Sequence, residues 1–236
     1  MLLTSISLHK EVIEKYPSAK IGIVIANFLS DPLPFSMPSP ETLKNYLQEK
    51  GMHPSTYVEN ANIKAWRDVF QKDFNISPKS YRPSIDALTR RVIRGKGLPS
   101  ILPLVDIYNT CSVEFLLPMG GYDVEKLKGE LTLRYGREGE AFLPLHEKEM
   151  KHIKAQEIIY ADDERVVCWL WNYKDTEATC ITKETRKALF CIDSLNDRTE
   201  KNLFPAIEKL KDELKNAGGS IEGSAILSKD NTKFAV

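Results

Sequence analysis

Residues 105–134 read VDIYNTCSVEFLLPMGGYDVEKLKGELTLR. Val105–Phe115 has the composition of a helix, and Glu130–Tyr135 that of a strand with Leu131 and Leu133 on one face. Gly120-Gly121 reads either as a plain turn or as a place where the backbone comes close to a ligand, since only glycine allows that approach. Upstream, Ser84–Arg94 is an expected helix with Ile85, Leu88 and Val92 on its apolar side, set between Pro83 and Gly95. Asn62–Lys72 has helical spacing of Ile63, Trp66, Val69 and Phe70, and Glu41–Glu49 is a short helix with Ser39 as N-cap. Four prolines between Pro32 and Pro40 call for an extended loop. Lys20–Phe28 is β-branched and apolar on both faces, a buried strand. Downstream come strands at Glu157–Tyr160, Val166–Trp171 and Ala188–Ile192, with Trp169 and Trp171 two apart and so on one face as core or pocket wall. An amphipathic helix, Thr199–Ala217, ends at Gly218-Gly219. This mixture is α+β, with strands too irregularly ordered for a doubly wound sheet. It is taken as one domain over 1–236: an N-terminal part (1–79), a motif-bearing core (80–193), and a C-terminal helix and tail (194–236).

The chain has 236 residues, with 33 Lys+Arg against 33 Asp+Glu. The balance excludes a polycation that would bind nucleic acid by overall charge, and leaves room for a local basic face. Apolar residues at 42% and charged residues at 28% suit a globular chain rather than a disordered one. No apolar run approaches the ~18 residues of a membrane helix, and residues 1–20 lack the charged-then-apolar order of a signal peptide. No membrane partner and a cytoplasmic location are therefore expected. Cys111, Cys168, Cys180 and Cys191 are 57, 12 and 11 residues apart, which points to reduced thiols, several in the core, rather than to zinc.

No phosphate-binding loop, dinucleotide fingerprint, nucleophile elbow or zinc-protease motif occurs. His9, His53, His146 and His152 have no partners at metal-ligand spacing. No metal and no cofactor are expected.

Six blocks in order carry a resemblance. They are Val105–Asn109, Leu117–Asp123, Leu127–Arg134, Glu138-Gly139-Glu140, Ala161-Asp162-Asp163 and Ile181–Arg186. Together they resemble the B3/4 tRNA-editing domain of the phenylalanyl-tRNA synthetase beta subunit. The resemblance implies a layered β/β/α sandwich and a pocket that hydrolyses tyrosine wrongly attached to the phenylalanine tRNA. It covers about half of the chain and includes neither the catalytic core nor the anticodon-binding part of a synthetase. It therefore implies a free-standing relative of the editing module. Among the family's pocket positions, the asparagine falls on Asn109 and the tyrosine-reading glutamate on Glu177. The family's threonine falls on Tyr108, its histidine on Gly120, and its paired glycines on Asp175-Thr176. These departures imply a pocket for a different amino acid, or for none.

Such a pocket needs no catalytic triad, because an aminoacyl ester is already activated. A positioned water and donors to the oxyanion suffice. Asn109 would orient the water or the carbonyl, Gly120 and Gly121 would bring backbone amides close, and Glu177 would accept from a polar group of the substrate. Arg82, Arg90, Arg91, Arg94 and Lys96 form a clustered basic segment suited to RNA phosphates. Three functions remain open: a deacylase acting on mischarged tRNA, a non-catalytic RNA-binding module, and a pocket for a free amino acid. The expected partner is tRNA, in charged form, and not DNA.

Overall fold

The apolar run predicted as a buried strand is the middle of the molecule. In the computed structural model it forms β2 (Lys20–Asn27), which carries the two cores on its two faces. The structure describes residues 2–236, without the side chains of 197–200; Met1, the first residue of the expected domain, lies outside the described residues. The chain opens with β1 (Leu3–Leu8) and α1 (Lys10–Lys15) ahead of β2. It continues through α2 (Pro40–Glu49), α3 (Ala61–Asp68), α4 (Ser84–Ile93) and α5 (Pro103–Phe115). The strands that follow are β3 (Met119–Asp123), β4 (Gly129–Tyr135), β5 (Ala141–Phe142), β6 (Lys151–His152), β7 (Ile158–Ala161), β8 (Val166–Trp169), β9 (Lys174–Asp175) and β10 (Lys187–Ser194). Helix α6 (Asp197–Asn216) and strands β11 (Ser220–Leu227) and β12 (Lys233–Ala235) close the chain.

Two sheets and a helical layer make a β/β/α sandwich. One sheet runs β12-β1-β4-β7-β8-β9 and the other β11-β2-β10-β3. Every pairing in them is antiparallel except β1 with β4. Alternation along β2 and β10 sorts the side chains. Ile21, Ile23, Ile25, Leu189 and Cys191 share a core with Ile6, Leu131 and Leu133 of the larger sheet. Val24, Ala26, Phe190 and Ile192 share a second core with Ile107 of α5 and Leu203, Ile207, Leu210 and Leu214 of α6. The three sequence segments thus interleave, with β2 lying between β10 and β11. Helices α2, α3 and α4 extend the first core at one end through Leu47, Trp66, Ile85 and Val92. Among the described residues no helix is long and apolar enough to cross a membrane.

Three local expectations are corrected. The helix expected over 62–72 ends at Asp68 and passes into a π-turn, Val69–Asp73. Gly120 and Gly121 are not a turn; they lie in β3, paired with Cys191 and Phe190 of β10. The strand expected to reach Trp171 stops at Trp169, because Leu170 and Trp171 take left-handed backbone (φ 52° and 66°). The two tryptophans therefore do not share a face, although both are buried. Ser39 caps α2 as expected, accepting from the Thr42 N–H at 3.1 Å. All four cysteines are free thiols, with Cys180 half-buried and the others buried.

Helix α6 sits so close to β2 that a Cβ at Gly22 would lie 2.8 Å from the Ile207 side chain and 3.0 Å from Leu203. Gly22→Val should therefore lower unfolding free energy by about 1–3 kcal/mol through overpacking, read from urea denaturation.

Candidate functional site

The dipeptide Tyr108-Asn109 lies mid-way along α5, and Gly120 lies one residue into β3. These segments meet at a cavity of about 240 Å³ between the two sheets, under α4 and α5. Tyr108, Asn109 and Gly120 all line it. Asn109 is 8% exposed, and among the described residues its side-chain amide makes no hydrogen bond, so both ends are available to a ligand. A Cβ at Gly120 would stand 3.1 Å from the Tyr122 hydroxyl, so glycine keeps that wall open. Gly121 faces the other way. A Cβ there would meet Ile181 at 2.7 Å and the Tyr108 ring at 3.0 Å, so this glycine seats Tyr108 rather than substrate.

Glu177 does not reach the cavity. The Thr176 hydroxyl accepts from the Ala178 N–H and starts a 3₁₀ turn, Glu177–Thr179, which leaves Glu177 exposed. The acid that this segment delivers is Asp175, on β9 opposite Cys168 of β8. A second acid comes from β10. Asp193 has the same parity as Leu189 and Cys191, so it faces between the sheets, where it is 3% exposed. Sequence reading met Asp175 only as a departure from the family's paired glycines, and it missed Asp193. The alternation of the strand at 188–192, continued by one residue past its expected end, is the signal that would have placed Asp193.

Each acid has a tyrosine donor. The Tyr160 hydroxyl donates to Asp193 at 2.6 Å, and the Tyr122 hydroxyl to Asp175 at 3.3 Å. Burial dominates both titrations and pushes Asp193 up to about 7 and Asp175 up to about 6. The hydrogen bond from Tyr160 opposes the shift of Asp193, and the nearby charge of Asp175 adds to it. Burial likewise holds the Cys168 and Cys191 thiols well above their ordinary value, so neither is a thiolate nucleophile. Trp171 Nε1 and both polar atoms of Asn172 line the same space, buried and without a hydrogen-bond partner. Unpartnered polar groups beside the left-handed Leu170-Trp171 pair are what a binding site leaves unsatisfied until its ligand arrives.

The basic segment divides. Arg82 is not available to RNA. With Arg67 it holds the fully buried Asp86, which also accepts from the Tyr57 hydroxyl at 2.9 Å. A buried carboxylate needs such partners, and that need removes Arg82 from the surface set. Arg90 is half-buried, while Arg91, Arg94 and Lys96 are exposed, and none of the four forms an ion pair among the described residues. Ala87 and Leu88 of the same helix line the cavity, so the exposed arginines stand one to two turns along α4 from it. Leu88 is therefore half cavity wall, not wholly core.

The B3/4 domain family model matches residues 65–206, which include every residue lining the cavity. The chain belongs to the B3/4 domain family. The phenylalanine–tRNA ligase beta subunit of Bartonella quintana is 32% identical over 103 residues, 44% of this chain and 12% of that subunit. The Bartonella henselae subunit is 31% identical over 125 residues, 53% of this chain and 14% of its own length. That of Pectobacterium atrosepticum is 24% identical over 165 residues, 70% of this chain and 17% of its own. This B3/4 chain thus spans less than a fifth of those relatives. An N-terminal fragment of the phenylalanyl-tRNA synthetase beta subunit from Pyrococcus horikoshii superposes over 99% of this chain and 54% of its own, with 13% identity and a TM-score of 0.48.

Two predictions follow from this geometry. Below about pH 4 Asp193 is protonated in folded and unfolded chains alike. Between about 4 and 7 only the unfolded chain releases the proton, so the stability that Asp193 contributes is lost as pH rises to about 7. Asp193→Asn, which mimics the protonated acid, should therefore gain in melting temperature relative to the parent as pH goes from 4 to 8, measured by paired thermal melts. Asp86→Ala leaves Arg67 and Arg82 without their counter-charge and should cost about 3–5 kcal/mol in chemical denaturation.

Proposed function

We propose that this B3/4 domain hydrolyses the ester of a mischarged aminoacyl-tRNA, with the aminoacyl group in the cavity and the RNA outside it. The observation that carries this reading is the convergence of Tyr108, Asn109 and Gly120, from two separate family blocks, on one small cavity that opens to solvent. At about 240 Å³ it lies below the ~300–1,000 Å³ of pockets for drug-sized ligands, a size for one amino-acid group and not for a nucleotide. The tRNA partner is inferred from the relatives, whose names place them among phenylalanine–tRNA ligases.

The chemistry asks little of the protein. Water adds to the ester carbonyl carbon, the bond to the ribose oxygen breaks, and that oxygen leaves with a proton. Asn109 would hold the water or the developing oxyanion, since its amide both accepts and donates. The empty wall at Gly120 leaves space for the carbonyl. Arg90, Arg91, Arg94 and Lys96 would hold the acceptor-stem phosphates next to the cavity mouth.

The test is release of amino acid from a panel of mischarged tRNAs. Asn109→Ala should lower kcat by roughly 10²-fold, the effect of losing one oxyanion donor. Arg90, Arg91 and Arg94 changed together to Ala should raise KM and flatten its salt dependence, with kcat largely kept. Tight tRNA binding with no release on any member of the panel would replace the deacylase by a non-catalytic binding module.

A further inference from the structure

An aminoacyl-tRNA can enter a cavity of this size only with its amino-acid end first. The ribose and RNA must stay at the rim, where Ala87 is exposed and Lys174 half-exposed. The α-ammonium is one carbon from the ester and stays near the rim as well. What meets the deep end is the tip of the amino-acid side chain. That end holds Asp193 at 3% exposure and Tyr160 at 1%; Asp175, half-buried, lines the same cavity and its charge acts on Asp193.

Neither acid has a cation. Among the described residues Asp175 and Asp193 form no ion pair; the Tyr122 hydroxyl donates to Asp175 with the Cys168 thiol beside it, and the Tyr160 hydroxyl donates to Asp193 with the Trp171 and Asn172 side chains beside it, all of them neutral groups. Lys174, the cation of the lining, is turned to Glu147, 2.6 Å from its carboxylate. The Asn172 side-chain oxygen, Oδ1, adds a third unused acceptor, buried and unpartnered. Tyr108, Tyr122, Tyr160 and Trp171 supply aromatic faces around this group of acceptors. Like-charged carboxylates facing one small cavity are costly to ionise together unless a positive charge lies between them. A metal ion is a poor fit, since no cluster of three or more metal-ligating side chains occurs among the described residues.

Resting on the aminoacyl reading of the cavity, we propose that its substrates carry a positively charged side chain, with an ammonium or guanidinium head held between Asp193 and Asp175. Such a head brings three or five N–H donors, enough to meet both acids and the Asn172 oxygen, and its charge is attracted to the aromatic faces. A neutral phenol would satisfy one acceptor and leave the others bare, which is how a buried polar site rejects the wrong ligand. The raised titration of both acids fits a site whose counter-charge comes with the ligand.

The experiment has two arms. One measures deacylation of tRNAs charged with arginine, lysine or ornithine, with the neutral look-alikes citrulline and norleucine, and with tyrosine. The other measures calorimetric binding of the corresponding amino-acid amides, which needs no hydrolysis. A preference of at least tenfold for each cationic member over its neutral look-alike, lost in both Asp193→Asn and Asp175→Asn, is the expected result. Asn keeps the shape of the acid without its charge, and a melting curve confirms that each variant is folded. Equal handling of citrulline and arginine, or a preference for tyrosine, overturns the proposal and leaves the deacylase standing. Charge-selective binding of the amides with no hydrolysis does the reverse. No binding and no hydrolysis of any cationic member overturns this proposal, and no hydrolysis of any member of the panel overturns the deacylase as well.

Discussion

The register of β10 between β2 and β3 governs this molecule. Cys191 pairs with Ile23 on one side and Gly120 on the other, and the alternation that follows sends Leu189, Cys191 and Asp193 between the sheets. Phe190 and Ile192 go to the helical layer. A slip of one residue would exchange the two sets, placing a carboxylate against α6 and an aromatic ring in the cavity. The flanking partners resist that slip. Gly22 is the residue on β2 that lets α6 approach, and Gly121 is the residue on β3 that lets Tyr108 lie against the strand near Phe190, with ring centroids 6.2 Å apart. Each of these close approaches exists in one register only.

From that constraint comes a polar cavity inside an apolar sandwich. Burying two acids without cations is unfavourable, and here the cost is held down by tyrosine hydroxyls and by keeping protons that an exposed aspartate would release. The contrast with Asp86 is instructive. That acid is as buried as Asp193 but surrounded by Arg67, Arg82 and Tyr57, so it is a finished structural joint that ties α4 to the helices before it. Asp175 and Asp193 are an unfinished one. The difference between a structural and a ligand-binding acid thus lies in whether the protein supplies the counter-charge.

Helix α4 links the two parts of the proposed site. Its inward residues Ile85, Thr89 and Val92 are buried, Ala87 and Leu88 face the cavity, and Arg91 and Arg94 face water. One ten-residue helix therefore serves as core, cavity wall and basic surface. The proposed RNA contact is compatible with a chain of zero net charge, since it would be confined to one helix beside one opening.

The amino-acid sequence by itself determined the α+β class, the central strand, the helices it placed at 41–49, 84–94 and 105–115 to within two residues at each end, and the family, because hydrophobic periodicity, caps and spaced motifs are local signals. It also placed Tyr108, Asn109 and Gly120 together, through a family pattern that matches this chain block by block. It misjudged Glu177, Arg82 and Gly121, gave Asp175 no role beyond a departure from the family's glycines, and passed over Asp193. Those five depend on facts that no local window contains: a Thr176-capped turn that swings Glu177 outward, a buried Asp86 that claims Arg82, a ring that needs the space at Gly121, and two strands whose pairing aims a carboxylate inward. Tertiary structure alone decided them, because whether a charged side chain meets water, a partner charge or an empty cavity is set by what packs against it from distant parts of the chain.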